Sequence, residues 1–184
     1  MVAETAKMKH GVGLAEEMIK ANELTRANGL IARLLSRERQ TQYAIYAAEQ
    51  VLPIFEKWYP DNYEPRMAIE AAKLFLKEPT TKNEDAADWA RCGAADMADN
   101  APFGIDSAAD AAACAAETVC AFTDNAATLA ESAVENACEA VRADYIRNNI
   151  RSSDDESGYA DAEKEGNKMK LKIINYGLML LNTA

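Results

Sequence analysis

Alanine is the feature that most limits how this chain can fold. The chain has 37 alanines among 184 residues, and three segments between residues 86 and 140 consist largely of them: AADWARCGAADMAD, SAADAAACAAETVCAF and AATLAESAVENACEA. Alanine is the most favourable residue in a helix, and the residues that end helices are few, with eight glycines and five prolines. The sequence therefore predicts an all-α fold and excludes an all-β one.

Groups of Gly, Pro, Asn and Ser indicate where the helices end, for example at Asn28–Gly29 and in the turn of residues 59–63. Pro65 is well placed in the first turn of a helix, where its missing N–H is not needed. The pattern predicts seven or eight stacked antiparallel helices. They span about residues 4–27, 30–35, 37–58, 65–77, 83–98, 106–122, 125–150 and 159–181.

A chain of this length suits a single domain, residues 1–184. We expect N-terminal helices within residues 4–35, a motif-bearing core of about residues 37–150, and a C-terminal helix, residues 159–181. The C-terminal helix is predicted to dock on the bundle because apolar residues recur in it at helical spacing. These residues are Met169, Ile173, Tyr176 and Leu180.

The negative charge is concentrated in one part of the chain. The formal net charge is −10, and residues 81–140 account for all of it, with twelve acids against Lys82 and Arg91. Such a field attracts basic partners and repels DNA and anionic membranes. We therefore expect a basic protein partner, no direct nucleic-acid binding and no membrane binding. A second interpretation is that the acids keep an Ala-rich helical layer soluble.

The acids of this middle third fall on one face of their helices. On a helical wheel of residues 106–122, Asp106, Asp110 and Glu117 lie within roughly 40° of one another. The opposite face is apolar and predicted to be buried: Ala108, Ala112, Ala115, Val119 and Phe122. The next helix has acids at i, i+4 and i+8: Glu131, Glu135 and Glu139. Like charges at that spacing destabilise a helix by about 0.2–0.5 kcal/mol per pair, so the pattern favours a binding surface.

The predicted partner surface consists of acids on three helices. They are Asp96, Asp99, Asp110, Glu117, Glu131, Glu135 and Glu139. Four of them are specifically expected to be exposed: Asp110, Glu117, Glu131 and Glu135. Asp106 and Asp124 are instead expected to cap their helices or to lie in the first turn, where the helix dipole favours a negative charge.

Catalytic and metal sites have little support in the sequence. His10 is the single histidine, it is expected on the surface, and the Glu-x-x-His pairs of a di-iron bundle cannot be built from it. Phosphate-binding glycine loops and nucleophile elbows are absent from the sequence. Four cysteines without CxxC spacing are predicted to be small buried thiols, reduced in a cytoplasmic protein: Cys92, Cys114, Cys120 and Cys138. We expect a protein that is not an enzyme and has neither cofactor nor metal.

One stretch, Val51–Ala72, reads VLPIFEKWYPDNYEPRMAIEAA. It resembles the immunity-five-like family of toxin-immunity proteins, in which a helix ending in L-P-[IL]-F-E is followed by a P-D turn and by P-R-x-A-I-E-A-A. The matching residues are Leu52, Pro53, Phe55, Glu56, Pro60, Asp61, Pro65, Arg66, Ala68, Ile69, Glu70, Ala71 and Ala72. The Ala-rich continuation to about residue 140 also fits. The resemblance implies an all-α fold and the binding of a toxin.

The motif also has a purely structural interpretation. Arg66 lies where two helices meet at a turn, within reach of three carboxylates: Glu56, Asp61 and Glu70. A buried Arg–carboxylate pair would brace this corner without any ligand. The alternative is that the corner around Arg66 forms a small binding pocket.

The leading functional hypothesis is a non-enzymatic inhibitor of the immunity type, which neutralises a basic toxin or effector protein through an acidic helical face. One alternative is a phage or mobile-element anti-defence protein that mimics nucleic acid with the same face. Another is a helical module that sequesters a small ligand at the Arg66 corner.

Overall fold

Helices account for all the regular structure in the computed structural model, which describes residues 2–120, 125–152 and 155–183. In those ranges the chain forms eight helices and no strand, which confirms the all-α prediction. None of these helices combines the length and the apolar character needed to cross a membrane. The helices are α1 (Val2–Lys20), α2 (Leu24–Leu34), α3 (Arg37–Trp58), α4 (Glu64–Lys77), α5 (Thr81–Asn100), α6 (Ile105–Cys120), α7 (Ala126–Asn149) and α8 (Glu156–Asn182).

Most of these helices begin and end close to the predicted residues. Two of them begin earlier than predicted because a preceding side chain caps the first turn. The Thr80 hydroxyl accepts a hydrogen bond from the backbone N–H of Asn83 at the start of α5. The Asp155 carboxylate accepts one from the backbone N–H of Gly158 at the start of α8. Side-chain acceptors at this position satisfy N–H groups that have no partner within the helix.

The predicted N-terminal helix boundary is wrong. The break lies at Asn22, whose φ of 61° is in the left-handed region that asparagine tolerates, and not at Asn28–Gly29. The backbone N–H of Glu23 closes the end of α1 on the carbonyl of Met18 at 2.8 Å. Asn28 and Gly29 instead lie inside α2 and are buried against α7. Tertiary contacts therefore outweigh the turn preference of an Asn-Gly pair.

α6 is the central helix and packs against α3, α4, α5 and α7. Its buried residues cover most of its circumference, and most of them are alanine. Methyl side chains let neighbouring helices approach closely, so α6 is surrounded by helix backbones as well as by side chains. Gly104, just before α6, has a φ of 86°, and a Cβ at this position would overlap with Ala143 of α7.

A second group of helices forms around α8, which packs on α7, α2 and α3, while α1 covers α2. Gly177 of α8 lies against Tyr43 of α3 and Ile31 of α2. Tyr176 stacks on Tyr46 of α3 with 4.0 Å between the ring centroids. Two of the residues predicted to dock α8 are buried and two are partly buried, so the predicted docking is confirmed: Ile173, Leu180, Met169 and Tyr176.

Two arginines at the start of α3 cap the ends of other helices. Arg37 donates to the carbonyl of Val119 in α6 at 2.8 Å, and Arg39 donates to the carbonyl of Leu180 in α8 at 2.7 Å. A guanidinium at a helix C-terminus satisfies free carbonyls and is attracted by the negative end of the helix dipole. These two arginines therefore stabilise the fold. Their contacts place the start of α3 at the C-terminal ends of α6 and α8, so α3 runs antiparallel to both.

Enlarging one buried methyl group on α6 tests this close packing. Ala112 is fully buried, so Ala112→Leu is expected to lower the free energy of unfolding by about 1–3 kcal/mol, because the surrounding helices must separate. The control is Ala86→Leu at an exposed position of α5, where we expect a change below about 0.5 kcal/mol. Urea unfolding of both variants measures the difference. Equal changes in the free energy of unfolding would mean that the space around Ala112 accommodates a leucine without moving the neighbouring helices.

Candidate functional site

A polar cluster lies inside the bundle where α2, α3, α7 and α8 meet. Lys170 of α8 donates from Nζ to Oε2 of Glu135 at 2.6 Å and to Oγ1 of Thr25 at 3.0 Å. The Lys170 side chain is only 11% exposed. A buried ammonium requires a nearby anion, since its removal from water is costly. Glu135 is therefore the counter-ion of Lys170 within the fold.

Asn28 and Tyr43 extend this cluster into the core, and both are fully buried. The Tyr43 hydroxyl donates to Oδ1 of Asn28 at 3.0 Å, and Nδ2 of Asn28 donates to Oε1 of Glu135 and to the carbonyl of Glu131, each at 3.2 Å. Burial raises the pKa of Tyr43 far above its usual value, and the negative charges of neighbouring Glu135 and Glu131 add to the effect. The phenol is thus held neutral and acts as a hydrogen-bond donor.

The other two acids of the α7 stripe also have cations of this chain beside them. Glu131 lies 3.7 Å from Arg33 of α2, and Glu139 lies 3.0 Å from Arg142, whose Nε is 3.0 Å from Glu163 of α8. The expected exposure of Glu131 and Glu135 is wrong, since both are half-buried. Like charges on α7 do not determine the exposure of these acids, because Arg33 of α2 pairs with Glu131 and Lys170 of α8 pairs with Glu135.

The acids of α5 and α6 form a second group, which we call the α5–α6 acidic surface: Asp96, Asp99, Asp106, Asp110 and Glu117. Asp96 and Asp99 are exposed, while the three acids of α6 are half-buried. The expected exposure of Asp110 and Glu117 is therefore wrong as well. α6 lies between α5 and α7, so that even its polar side is partly covered.

Asp110 is electrostatically the least favourable member of this surface. Burial raises its pKa, the charges of Asp106 and Asp99 raise it further, and no cation in the described ranges lowers it. Asp106 is a first-turn acid as predicted, and its carboxylate accepts the backbone N–H of Gly104 and of Ser107, each at 2.6 Å. Asp110 thus carries its charge at a cost to the fold at neutral pH.

Arg91 of α5 reaches this surface from one side. Its Nε donates to Oδ1 of Asp88 at 3.0 Å. This hydrogen bond is the main cause of a raised Arg91 pKa, to which the charge of Glu117 also contributes. Arg91 therefore pairs with Asp88 and acts on Glu117 only from a distance, so the surface retains a net negative charge.

The buried side of α6 agrees with the helical wheel. The predicted core residues in the described part of α6 are all buried: Ala108, Ala112, Ala115 and Val119. Phe122 and Asp124, which were predicted to be buried and to cap a helix respectively, lie outside the described residues.

The predicted pairing of Arg66 with a carboxylate is confirmed at the corner between α3 and α4, but this ion pair is not buried as predicted. Arg66 Nε donates to Oε1 of Glu56 at 2.7 Å, with the two side chains 50% and 28% exposed. Glu70 pairs instead with Lys73, and Asp61 is exposed. An exposed ion pair stabilises a fold by about 0–1 kcal/mol, so this pair of charges contributes little to holding the corner. Apolar contacts hold it, including the stacking of Phe55 on Tyr59 at 5.2 Å.

The four cysteines are free thiols, and one of them corrects a prediction. Cys92 is exposed, not buried, because it lies on the outer face of α5. Burial raises the pKa of Cys114 and Cys138 to about 12 and that of Cys120 to about 11. Such thiols carry almost no thiolate at neutral pH and are poor nucleophiles. No cluster of His, Cys, Asp and Glu within the described residues could hold a metal ion.

Sequence reasoning missed the polar cluster because its members are far apart in the chain. Asn28 was interpreted as part of a turn, and Tyr43 lies in α3 without any sequence signal of a polar partner. Lys170 was the available signal, since it interrupts the apolar face of the last helix between Met169 and Ile173. A lysine at such a position indicates an internal anion, although the sequence does not say which one.

A double-mutant cycle tests the coupling of Asn28 and Tyr43. Asn28→Ala leaves the buried phenol without its acceptor, so we expect a loss of about 1–3 kcal/mol in the free energy of unfolding. Tyr43→Phe should cost about 1 kcal/mol. The double variant should be more stable than the sum of the single effects predicts, because the second change removes a group that the first left unpaired. Strict additivity in urea unfolding would contradict the hydrogen bond.

The unfavourable position of Asp110 predicts a stabilising substitution that depends on pH. The folded protein has the higher Asp110 pKa, so protonation of this carboxyl favours folding, and the benefit is lost as pH rises through that pKa. Asp110→Asn should therefore raise the free energy of unfolding at pH 7 and have almost no effect at pH 3. Asp61→Asn, at an exposed turn position, controls for the loss of one charge. An Asp110→Asn variant less stable than the parent at pH 7 would refute the electrostatic argument.

No protein-family model matches the chain, and comparisons with curated proteins and with solved structures found no match. The resemblance to the immunity-five-like family therefore depends on the residues of Val51–Ala72 alone and stays a prediction.

Proposed function

We propose that this protein is a non-enzymatic inhibitor that binds a basic toxin or effector protein through the α5–α6 acidic surface. The resemblance of Val51–Ala72 to the immunity-five-like family supports the inhibitory role. The charge distribution supports the basic character of the partner.

The observation that carries the proposal is the contrast between the two groups of acids. The acids of α7 have cations beside them from α2, α7 and α8, and so they serve the fold. Among the described residues, Arg91 is the one cation that acts on the α5–α6 acidic surface, through Glu117, and Asp110 is kept at a position that raises its pKa. Acids that weaken the folded state are explained by a partner whose cations neutralise them on binding.

A basic partner would also be attracted from a distance. Toxins and defence effectors that act on nucleic acid often carry positive surfaces, and opposite fields raise the rate of association. The anti-defence alternative uses the same surface, with the carboxylates of Asp99, Asp106 and Asp110 in the place of phosphates. Both versions require a basic protein, and they differ in which protein is captured.

Charge reversal at the two exposed acids tests the proposal. The double variant Asp96→Lys with Asp99→Lys should fold normally, since exposed substitutions change stability by less than about 0.5 kcal/mol each. Proteins captured by the parent from an extract of its native cells are identified and then purified. The rate of association of such a protein should fall by about tenfold or more in the variant, and in the parent it should fall as salt rises. The parent, but not the variant, should inhibit that protein.

A control variant has the same change in charge elsewhere. Glu16→Lys with Glu17→Lys alters two exposed acids of α1 and should keep both association and inhibition. If the two double variants lose association equally, net charge alone drives the binding. If neither loses it, the α5–α6 acidic surface is not the binding surface.

A further inference from the structure

α5 presents an exposed tryptophan, Trp89, on its outer face. The indole is 74% exposed, whereas the opposite face of α5 is buried through alanines such as Ala87, Ala90 and Ala94. No ring or cation of the described residues lies against Trp89. Tryptophan combines a large apolar surface with few rotatable bonds, and it is the residue most typical of binding hot spots.

Small and acidic residues surround the indole on its own helix. Ala86 and Gly93, at i−3 and i+4, leave the ring uncovered, and helical side chains lean towards the N-terminus, over Asp85 and Ala86. Asp85 at i−4 and Asp96 at i+7 are both exposed on the same face. An open aromatic face with carboxylates at its edges is suited to a cation.

A third carboxylate approaches from α4. Glu64 lies directly on Gly93, where any Cβ would overlap with its carboxylate, and its Oε2 is buried without a hydrogen-bond donor in the described part of the chain. Gly93 is one helical turn after Trp89. This oxygen is covered by α5, so it adds negative charge close to the indole but is not itself within reach of a partner.

The other tryptophan of the chain shows what such a ring binds in this protein. The guanidinium carbon of Arg147 lies 5.0 Å from the centroid of Trp58, and Lys57 Nζ lies 5.8 Å from it. Arg147 also donates to the carbonyl of Phe103. Trp58 thus has cations of its own chain on its ring, whereas Trp89 has none from the described residues.

We infer that Trp89 binds an arginine side chain of the basic partner, with the guanidinium stacked on the indole and its N–H groups donating to one of the exposed carboxylates of α5, Asp85 or Asp96. The inference depends on the proposed function and narrows its partner to one that presents arginine, as distinct from lysine, at this contact. The guanidinium is planar, weakly hydrated and has five donors, so that it can stack and pair with carboxylates at once. A lysine ammonium does this less well.

Two short peptides of equal length and charge test the inference, one alternating arginine with serine and the other lysine with serine. At low salt, calorimetry should show about tenfold tighter binding of the arginine peptide to the parent. Trp89→Leu should abolish this preference and leave weak, salt-dependent binding of both peptides. Phe103→Leu, at an exposed aromatic residue in the turn between α5 and α6, should keep the preference. In a Trp58→Phe background, the arginine peptide should change the fluorescence of Trp89.

The outcomes separate this inference from the proposed function. Equal affinities for the two peptides, or a preference that survives Trp89→Leu, would overturn the arginine contact. If both peptides bind the parent equally but no longer bind the Asp96→Lys, Asp99→Lys variant, the α5–α6 acidic surface keeps its proposed role as the binding surface. No binding of either peptide at low salt would overturn both. Calorimetry on the parent and on Trp89→Leu decides the question even if Trp58→Phe does not fold.

Discussion

The packing of methyl groups around α6 is the constraint on which the rest of the structure depends. Four helices contact α6, and most of the residues that it buries against them are alanines. Side chains this small bury little apolar surface each, so stability comes from many close contacts between helices instead of a few large side chains. The same packing leaves α5 anchored by alanines, and its larger and charged side chains lie on the outside.

The polar cluster of Lys170, Glu135, Asn28, Tyr43 and Thr25 determines how the second group of helices sits on the first. These side chains come from α2, α3, α7 and α8, and each finds its partner on another helix. A shift of α8 along α7 would leave a buried ammonium without its anion, which costs far more than the loss of one apolar contact. The cluster therefore selects one register among the several that apolar packing alone would allow.

This arrangement also separates the charges of the chain by role. The excess of acids is confined to residues 81–140, but cations at positions 33, 142 and 170 neutralise those on α7. The remaining negative charge lies on α5 and α6, beside an exposed indole, and burial raises the pKa of the two α6 thiols, Cys114 and Cys120. This separation is the basis on which we propose that the surface binds a cationic partner.

The sequence by itself determined the helices and the charge. Alanine content and the spacing of breakers are local properties, and helix formation depends mainly on local preferences, so α3 to α7 were predicted to within two residues. The buried face of α6 followed from the same periodicity, and the pairing of Arg66 followed from the short turn between α3 and α4. Only the tertiary structure decided which charged side chains have a partner of opposite charge and which do not. Pairs such as Asn28 with Glu135 and Lys170 with Thr25 join residues more than a hundred positions apart, and no local pattern encodes them, because burial and counter-ions are set by whichever helix packs alongside.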